Sequence, residues 1–460
     1  MVRDLTRGSP TKLIVSFAMT MLLSSMMSYI YNFTDSLMVG QFVNADALGA
    51  VSAASPFVML MNNLSFSILS GVSIVVGQMF GAKDFKGLRR TTANAIYLTV
   101  AVIGIATVVS ICICEPVLIM MDTPGDFLDM SVIYTTIIFL AKPASAPSWL
   151  LSGMFRALGD ARTPVVIAII NGFGNVVFNF IFLVIFPMGI AGAALGTLCS
   201  AMTGSIIYVV MFKRKMTMLH FGREDAAPSL PILGRLLRIG VPLGLEQSIT
   251  TFGSVILQVA INSHGADAVT GVAMSGKVMS LFWILFGVFE SAQLAFCAQN
   301  IGAGAFGRVR RGIRNTLLIQ LGIGAAFFLL TVTGLDRFVY MAFVGEDTEI
   351  LSYAHRCLFS QVAFFPCVAM LFTWRAGLKS FGSTLPTVLC GVIELIARVS
   401  VSIFFADNLQ LLFFAGPMAW VGTSVFLAIL YPIAVRRKER ELTSVKKENT
   451  EPLPAVEAKV

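Results

Sequence analysis

The hydrophobic positions of this chain fall in long blocks separated by short polar segments. The blocks are about 20 residues or longer, the length of a helix that crosses a bilayer core. Residues 96–114, for example, are apolar on every side, whereas strands of a membrane β-barrel alternate in polarity. The pattern therefore predicts an all-α integral membrane protein with twelve transmembrane helices. The predicted helices are residues 13–38, 47–77, 92–114, 131–154, 164–185, 190–212, 236–262, 269–298, 315–335, 352–373, 386–406 and 411–434.

The composition of the chain agrees with this assignment. Of the 460 residues, 56% are hydrophobic and only 13% are charged, too few charges to cover a soluble protein of this size. The net charge of +8 would suggest nucleic acid as the partner of a soluble protein, but in a membrane protein it marks cytoplasmic loops. We therefore expect membrane lipids as partners, and no nucleic acid.

Basic residues are concentrated in alternate predicted loops. Of the 33 Lys and Arg residues, 28 fall in the N-terminal segment, the even-numbered loops and the C-terminal segment, with Arg375 and Lys379 assigned to the tenth loop. Cytoplasmic loops are enriched in Lys and Arg, so we expect both termini in the cytoplasm, with the protein in a plasma (bacterial inner) membrane. The basic loops at residues 83–90 and 308–314 are expected to contact lipid headgroups.

An internal repeat divides the chain into two halves. Gln78 and Gly81, which follow the second predicted helix, recur as Gln299 and Gly302 after the eighth, at an offset of 221 residues. Each half has six predicted helices, so both halves have the same orientation in the membrane. The predicted organisation is an N-terminal six-helix lobe (1–212), a cytoplasmic linker (213–235), a C-terminal six-helix lobe (236–435) and a disordered cytoplasmic tail (436–460).

Two such bundles leave a cleft between them, and rocking of the bundles would expose this cleft to each side of the membrane in turn. Five motifs, taken in their order along the chain, resemble those of the multidrug and toxic compound extrusion (MATE) transporters, and the resemblance covers about residues 10–435. The motifs are Tyr31–Asp35 with Val39-Gly40, Gln78-x-x-Gly81, Arg156–Asp160, Asn175-x-x-x-Asn179 and Gly189–Thr197.

The resemblance implies a secondary active efflux antiporter that exports organic, often cationic, drugs or metabolites in exchange for H⁺ or Na⁺. It implies no cofactor beyond the coupling ion. The chain looks closer to the proton-type, DinF-like branch than to the sodium-type NorM pattern. The reason is that Thr250 and Val368 stand where the sodium-type branch has carboxylates. Thr20 replaces a proline that the family often has in its first helix, so the resemblance does not extend to a proline bend there.

Asp35 is the leading candidate for ion coupling. A charge inside the membrane costs about 2.5–3.5 kcal/mol on insertion scales and therefore needs a partner, water or a function. Asn175 and Asn179 share one helix face, and their amide oxygens could complete an H⁺ or Na⁺ site at Asp35. Thr197 joins this set through the resemblance alone. The alternatives are a carboxylate that reaches outer water and asparagines that join helices by hydrogen bonds.

Further polar residues are candidates for the substrate cleft. Glu394 and Arg398 are four residues apart, and the favoured interpretation of this spacing is an ion pair within one helix. The cleft candidates are Asn32, Asn171, Glu246, Glu290, Glu394 and Arg398. Because three of them are acidic, we expect organic cations as substrates. We also expect the protein to be a monomer.

Other functional classes are less well supported. A lipid-linked precursor flippase of the same superfamily is the main alternative, and it would need a cleft rich in Arg and Lys. An enzyme would need a catalytic cluster such as H-E-x-x-H, and direct use of ATP would need a phosphate-binding loop, neither of which occurs. A channel is disfavoured, because the sequence has no repeated segment that resembles a selectivity filter.

Overall fold

The computed structural model describes residues 3–43, 45–121, 123, 125–344 and 347–448, and all regular structure in this part of the chain is helical. A π-helix (Ile181–Ile185) continues α7, and a short 3₁₀-helix (Thr217–Leu219) follows α8. The α-helices are α1 (Pro10–Phe42), α2 (Ala45–Gly81), α3 (Phe85–Cys112), α4 (Cys114–Met120), α5 (Gly125–Leu140), α6 (Lys142–Ala157), α7 (Arg162–Phe180), α8 (Gly189–Lys215), α9 (Leu230–Asn262), α10 (Ala266–Gly302), α11 (Phe306–Val332), α12 (Leu335–Val344), α13 (Thr348–Val362), α14 (Phe365–Ser380), α15 (Leu385–Phe404), α16 (Leu409–Leu412) and α17 (Ala415–Glu448).

The helices provide twelve membrane spans. Within the described ranges, nine helices are long and apolar enough to cross a bilayer, and the bent pairs α5/α6 and α13/α14 supply one span each. We assign the twelfth span to α9, which is 33 residues long and whose apolar sequence is interrupted by Glu246. The predicted all-α membrane fold of two six-span halves is confirmed.

Two of the spans are broken, although the pattern of apolar blocks predicts continuous helices. α5 and α6 meet at an angle of 48°, and α13 and α14 meet at 51°. Pro143 and Pro366 occupy the second position of the helix after each break, where proline lacks the N–H that would continue the preceding helix. Both breaks lie at equivalent positions, 223 residues apart, so the repeat extends to the bend itself.

Each half contributes the start of its first helix to the other half. Leu13, Ile14 and Phe17 of α1 pack in one buried cluster with Phe296 of α10 and Val309 of α11. In the same way, Leu236, Ile239 and Leu243 of α9 belong to a cluster built mainly from α2, α3 and α6. The two halves are therefore joined by apolar packing as well as by the connection between them.

Glycines bring the two halves close together at the end that carries the repeated motifs. A Cβ added at Gly81 would overlap the backbone of Gln299, and one added at Gly302 would overlap the backbone of Gln78. The amide of Gln78 donates to Ser380 O at 2.7 Å, and the amide of Gln299 donates to Ala157 O at 2.8 Å. This symmetric contact, called here the glycine seal, joins the halves at the end where the basic loops lie.

The helices at both chain ends are longer than predicted. α1 is continuous from Pro10 to Phe42, with the Thr20 hydroxyl donating to Ser16 O at 2.8 Å. α17 runs to Glu448, so residues 436–448 are helical where the sequence predicted a disordered tail. An ion pair of 3.2 Å between Arg310 and Glu439 anchors this extension, and residues 449–460 lie outside the described part of the chain.

Candidate functional site

Asp35 lies in α1 against two buried asparagines of α7. The Nδ2 atom of Asn179 donates to Asp35 Oδ1 at 2.6 Å and to Asn175 Oδ1 at 3.1 Å. Both asparagines are fully buried, whereas Asp35 is partly exposed. Three of the four predicted ion-coupling residues therefore form one hydrogen-bonded cluster. In the described part of the chain, no basic residue forms an ion pair with this carboxylate.

α8 completes the surroundings of this cluster. Gly196 lies so close to Asn179 that a Cβ at this position would overlap the amide oxygen Oδ1. The next residue, Thr197, forms a hydrogen bond with Tyr31, which lies one helical turn before Asp35 on α1. The fourth predicted residue is thus connected to Asp35 through Tyr31, which was not among the predicted site residues.

A cavity of about 390 Å³ opens beside the Asp35 cluster, within the volume range of small-molecule sites. We call it the first-lobe cavity, and the lining residues that matter here are Tyr31, Asn62, Lys142, Trp149, Asn171 and Thr197. Of the predicted cleft residues, Asn171 therefore lines the cavity. The side chain of Asn32 lies outside the described residues.

The other predicted cleft residues meet in the second half. Arg375 Nη1 lies 2.9 Å from Glu246 Oε1, and Arg375 Nη2 contacts Glu394 Oε1. Lys379 Nζ lies 3.3 Å from Glu246 and 3.2 Å from Glu290. We call this connected set, together with Arg398, the second-lobe ion-pair network.

Arg398 closes the network at the α15 side. Its Nη2 lies 3.5 Å from Glu394 Oε2, and its Nη1 donates to Thr250 O at 3.0 Å. The predicted ion pair within one helix is confirmed, but Glu394 also binds Arg375 of another helix. Three carboxylates and three cations balance, so this network is neutral.

The assignment of Arg375 and Lys379 to a cytoplasmic loop was wrong. Both residues lie in α14, and their side chains are only 11% and 17% exposed. The tenth predicted span ended too early, at residue 373, because its break at Pro366 was not recognised and α14 continues to Ser380. Arg375 and Lys379 are four residues apart, and this spacing was the signal in the sequence that they share a helix face.

The ion pairs of the network remove one reason for expecting organic cations as substrates, namely the three acidic residues among the cleft candidates. Glu246, Glu290 and Glu394 are all paired with Arg or Lys, so they do not give the second half a surplus of negative charge. Asp35 instead has amide donors as its side-chain partners. Of these four carboxylates, it alone keeps its full charge available for a proton or a cation.

Comparison with known proteins places the chain in a family. The MatE family model matches residues 20–181 and 242–404, one segment in each half. The probable multidrug resistance protein YoeA of Bacillus subtilis is 25% identical over 349 residues, which cover 74% of this chain and 75% of that protein. The multidrug export protein MepA of Staphylococcus aureus is 21% identical over 322 residues, or 70% of each chain.

Solved structures share the fold. A crystal structure of MATE in complex with MaL6 superposes with a TM-score of 0.83 at 19% identity and covers 96% of this chain and 99% of its own. The twelve helices in two repeated halves and the polar cluster inside the first half define a multi-pass membrane transporter. The chain belongs to the MatE family of multidrug efflux transporters.

Membership of this family settles several expectations. The protein is a transporter and not an enzyme, and members of its family use ion gradients without a cofactor. The bacterial relatives indicate a plasma-membrane location. The alternative function of a lipid-linked precursor flippase finds no support among these matches.

Proposed function

We propose that the protein is a secondary active antiporter that exports organic cations in exchange for protons, with Asp35 as the exchanging carboxylate. The observation that carries this proposal is the contrast between Asp35 and the three glutamates of the second half. The glutamates are held in ion pairs, whereas Asp35 has amide donors and lies one helical turn from Tyr31, which lines the first-lobe cavity. An unpaired carboxylate can exchange one cation for another.

Competition for one negative charge couples the two fluxes. An ionised Asp35 attracts a cationic substrate in the first-lobe cavity, and protonation removes this attraction. A proton that enters from outside therefore favours release of the substrate, and loss of the proton to the cytoplasm restores affinity. One proton exchanged for one monovalent cation moves no net charge, so the pH gradient alone drives the exchange, at about 1.4 kcal/mol per pH unit.

The hydrogen bonds around Asp35 favour the proton over Na⁺ as the coupling ion. The Asn179 amide turns its N–H groups, and not its oxygen, towards Asp35 and Asn175. Hard cations prefer a shell of oxygen ligands, and this arrangement withholds one of them. Na⁺ binding at Asp35 would require the Asn179 amide to turn over, with Asn175, Asn179 and Thr197 as candidate oxygen donors.

The glycine seal supports an orientation for the cycle. The seal and the loops with most of the basic residues lie at the same end, which we assign to the cytoplasm, with both termini there. The N-terminal segment joins this end through Leu5 N, which donates to Gln299 Oε1 at 2.9 Å. With this end closed, we infer that the cleft expected between the lobes opens towards the outside. We expect one chain to suffice for transport.

Dye transport into proteoliposomes tests the proposal. We expect an imposed pH gradient to drive accumulation of the cationic dye rhodamine 123, and a Na⁺ gradient at equal pH on both sides to drive none. Asp35→Asn should lose at least about tenfold in rate, because the amide can neither bind a proton nor attract a cation. Asp267→Asn, at an exposed position in the first turn of α10, is the matched control.

Two results would contradict the proposal. Normal transport by Asp35→Asn would mean that this carboxylate has a structural role. Accumulation driven by the Na⁺ gradient alone would name Na⁺ as the coupling ion and would require the reoriented amide.

A further inference from the structure

Lys142 is a buried cation at the break of a transmembrane span. It is the first residue of α6, directly before Pro143, and its side chain is 2% exposed. Its Nζ atom donates to Ser110 Oγ at 3.2 Å and lies 4.4 Å from the centre of the Phe139 ring. Among the residues that the structure describes, no carboxylate lies within ion-pair distance of Lys142. A hydroxyl and a ring compensate an ammonium group only in part.

The fold does not require a lysine at this position. The equivalent residue of the second half, 223 positions later, is Phe365, which begins α14 directly before Pro366. Phe365 is buried in an apolar cluster, and its span bends by 51°, nearly the same as the 48° of the first. Of the two halves, only the first therefore has a lysine at this position, and Lys142 lines the first-lobe cavity there.

The walls of this cavity carry further incomplete polar groups. Asn62 Oδ1 and Asn171 Oδ1 are buried and have no hydrogen-bond partner in the described part of the protein. Both residues line the cavity with Lys142, and both oxygens can accept only from N–H or O–H donors. The cavity thus has a cation that lacks an anion, and acceptors that lack donors, close to Asp35 by way of Tyr31.

We propose that Lys142 adapts the first-lobe cavity to zwitterionic substrates, whose carboxylate pairs with the Lys142 ammonium group while the amino or cationic end faces Asn62, Asn171 and Asp35. The inference rests on the proposed function and names its substrate class. A buried ammonium group completed by a ligand carboxylate gains a charge-assisted hydrogen bond that a simple organic cation cannot supply. Lys142 is then a residue that determines specificity, and Asp35 couples the ion.

A pair of dyes that differ in one group tests this inference. Rhodamine 110 carries a free carboxylate beside its cationic ring system, and rhodamine 123 is its methyl ester. Equilibrium binding to the purified protein in detergent, measured by fluorescence anisotropy, needs no ion gradient. A failure of ion coupling therefore leaves this measurement intact, and the two proposals fail separately.

Lys142→Met keeps the length of the side chain and removes the charge. We expect it to raise the Kd for rhodamine 110 by at least about tenfold and to leave the Kd for rhodamine 123 within about twofold, because only the acid loses an ionic partner. Lys142→Arg should retain most of the affinity for the acid. Lys86→Met, at an exposed position near the start of α3, controls for loss of a positive charge elsewhere.

Three outcomes would overturn the inference. Equal weakening of both dyes would make Lys142 a structural residue or a counter-ion of Asp35. An unchanged Kd for rhodamine 110 would remove Lys142 from recognition, and a wild-type protein that does not bind rhodamine 110 would exclude the zwitterionic class represented by this dye.

Discussion

At the residue scale, the amide of Asn179 determines what Asp35 can bind. It is held between α1 and α7 by two hydrogen bonds from a single nitrogen, and it occupies the space that Gly196 leaves open on α8. A carboxylate whose neighbours are neutral amides responds strongly to a proton or a cation, because no fixed positive charge masks the change. We therefore expect the position of this amide to affect the proposed coupling at Asp35.

Gly196→Ala tests this dependence without altering any polar group. The added methyl group overlaps Asn179 Oδ1, so the amide must leave the position from which it donates to Asp35. We expect proton-driven transport of rhodamine 123 to fall about tenfold, since displacement of a positioning group by about 1 Å has effects of this order. Gly276→Ala on α10 is the matched control, because a Cβ at Gly276 meets open space. Equal rates for both variants would contradict the assigned role of Asn179.

We expect the second-lobe ion-pair network to stabilise the folded protein. Glu394 is 4% exposed and neutralises both Arg375 and Arg398. Glu394→Gln leaves buried positive charge without a partner, so we expect a loss of about 3 kcal/mol in the free energy of unfolding. Thermal unfolding in detergent should show a lower Tm, while transport per folded molecule should stay close to that of the wild type.

Two companion variants make this measurement specific. Glu290→Gln removes a carboxylate that is 22% exposed and has Lys379 as its ion-pair partner, and it should cost less. The double variant Glu394→Gln/Arg398→Met removes one unpaired cation and should recover part of the loss. A normal Tm for Glu394→Gln, with loss of transport, would instead make the network part of the transport site.

At the element scale, the sequence was informative about where helices lie and less informative about where they break. Blocks of apolar residues predicted twelve spans, because length and hydropathy are local properties. The breaks at Pro143 and Pro366 were missed, since proline near a helix start and proline within a span look alike in sequence. This error had a consequence for the site, because it placed Arg375 and Lys379 in a loop and concealed the ion-pair network.

In the candidate site as well, some residues were predictable from local sequence and others were not. Asp35, Asn175 and Asn179 were predictable from burial cost and helical spacing. Tyr31 and Lys142 were not, because their importance comes from the cavity that several helices form together. In the sequence, Lys142 is one charge within a predicted span, and its difference from Phe365 is visible only when the two broken spans are aligned.

In the proposed transport cycle, the glycine seal is the contact that has to open. Gly302 lies against the backbone of Gln78, so a larger side chain at this position prevents the closed contact. We expect Gly302→Leu to separate the lobes at this end and to slow transport. Spin labels at Lys86 and Arg311, both exposed, should show a longer mean distance by double electron–electron resonance in a cysteine-free background. Gly307→Ala, which meets open space, is the control, and an unchanged distance in Gly302→Leu would contradict the seal.

At the scale of the whole molecule, the two halves share one fold and have acquired different chemistry. The repeat preserves the broken spans, the glycine seal and the exchange of first helices. The first half has the available carboxylate, the cavity and Lys142, whereas the charges of the second half neutralise one another. In the proposed mechanism, ion exchange and substrate recognition therefore belong to the first half, and the second half is the partner against which it rocks.

Proton movement driven by a substrate gradient tests whether Asp35 exchanges a proton for substrate. Proteoliposomes that contain rhodamine 123 and the pH indicator pyranine are diluted into dye-free buffer at equal pH, so that only the dye gradient is present. We expect dye to leave as protons enter, which acidifies the interior, at a rate unaffected by a potassium–valinomycin potential, and Asp35→Asn should show no acidification. Dye efflux without acidification, or equal acidification in the variant, would contradict the account.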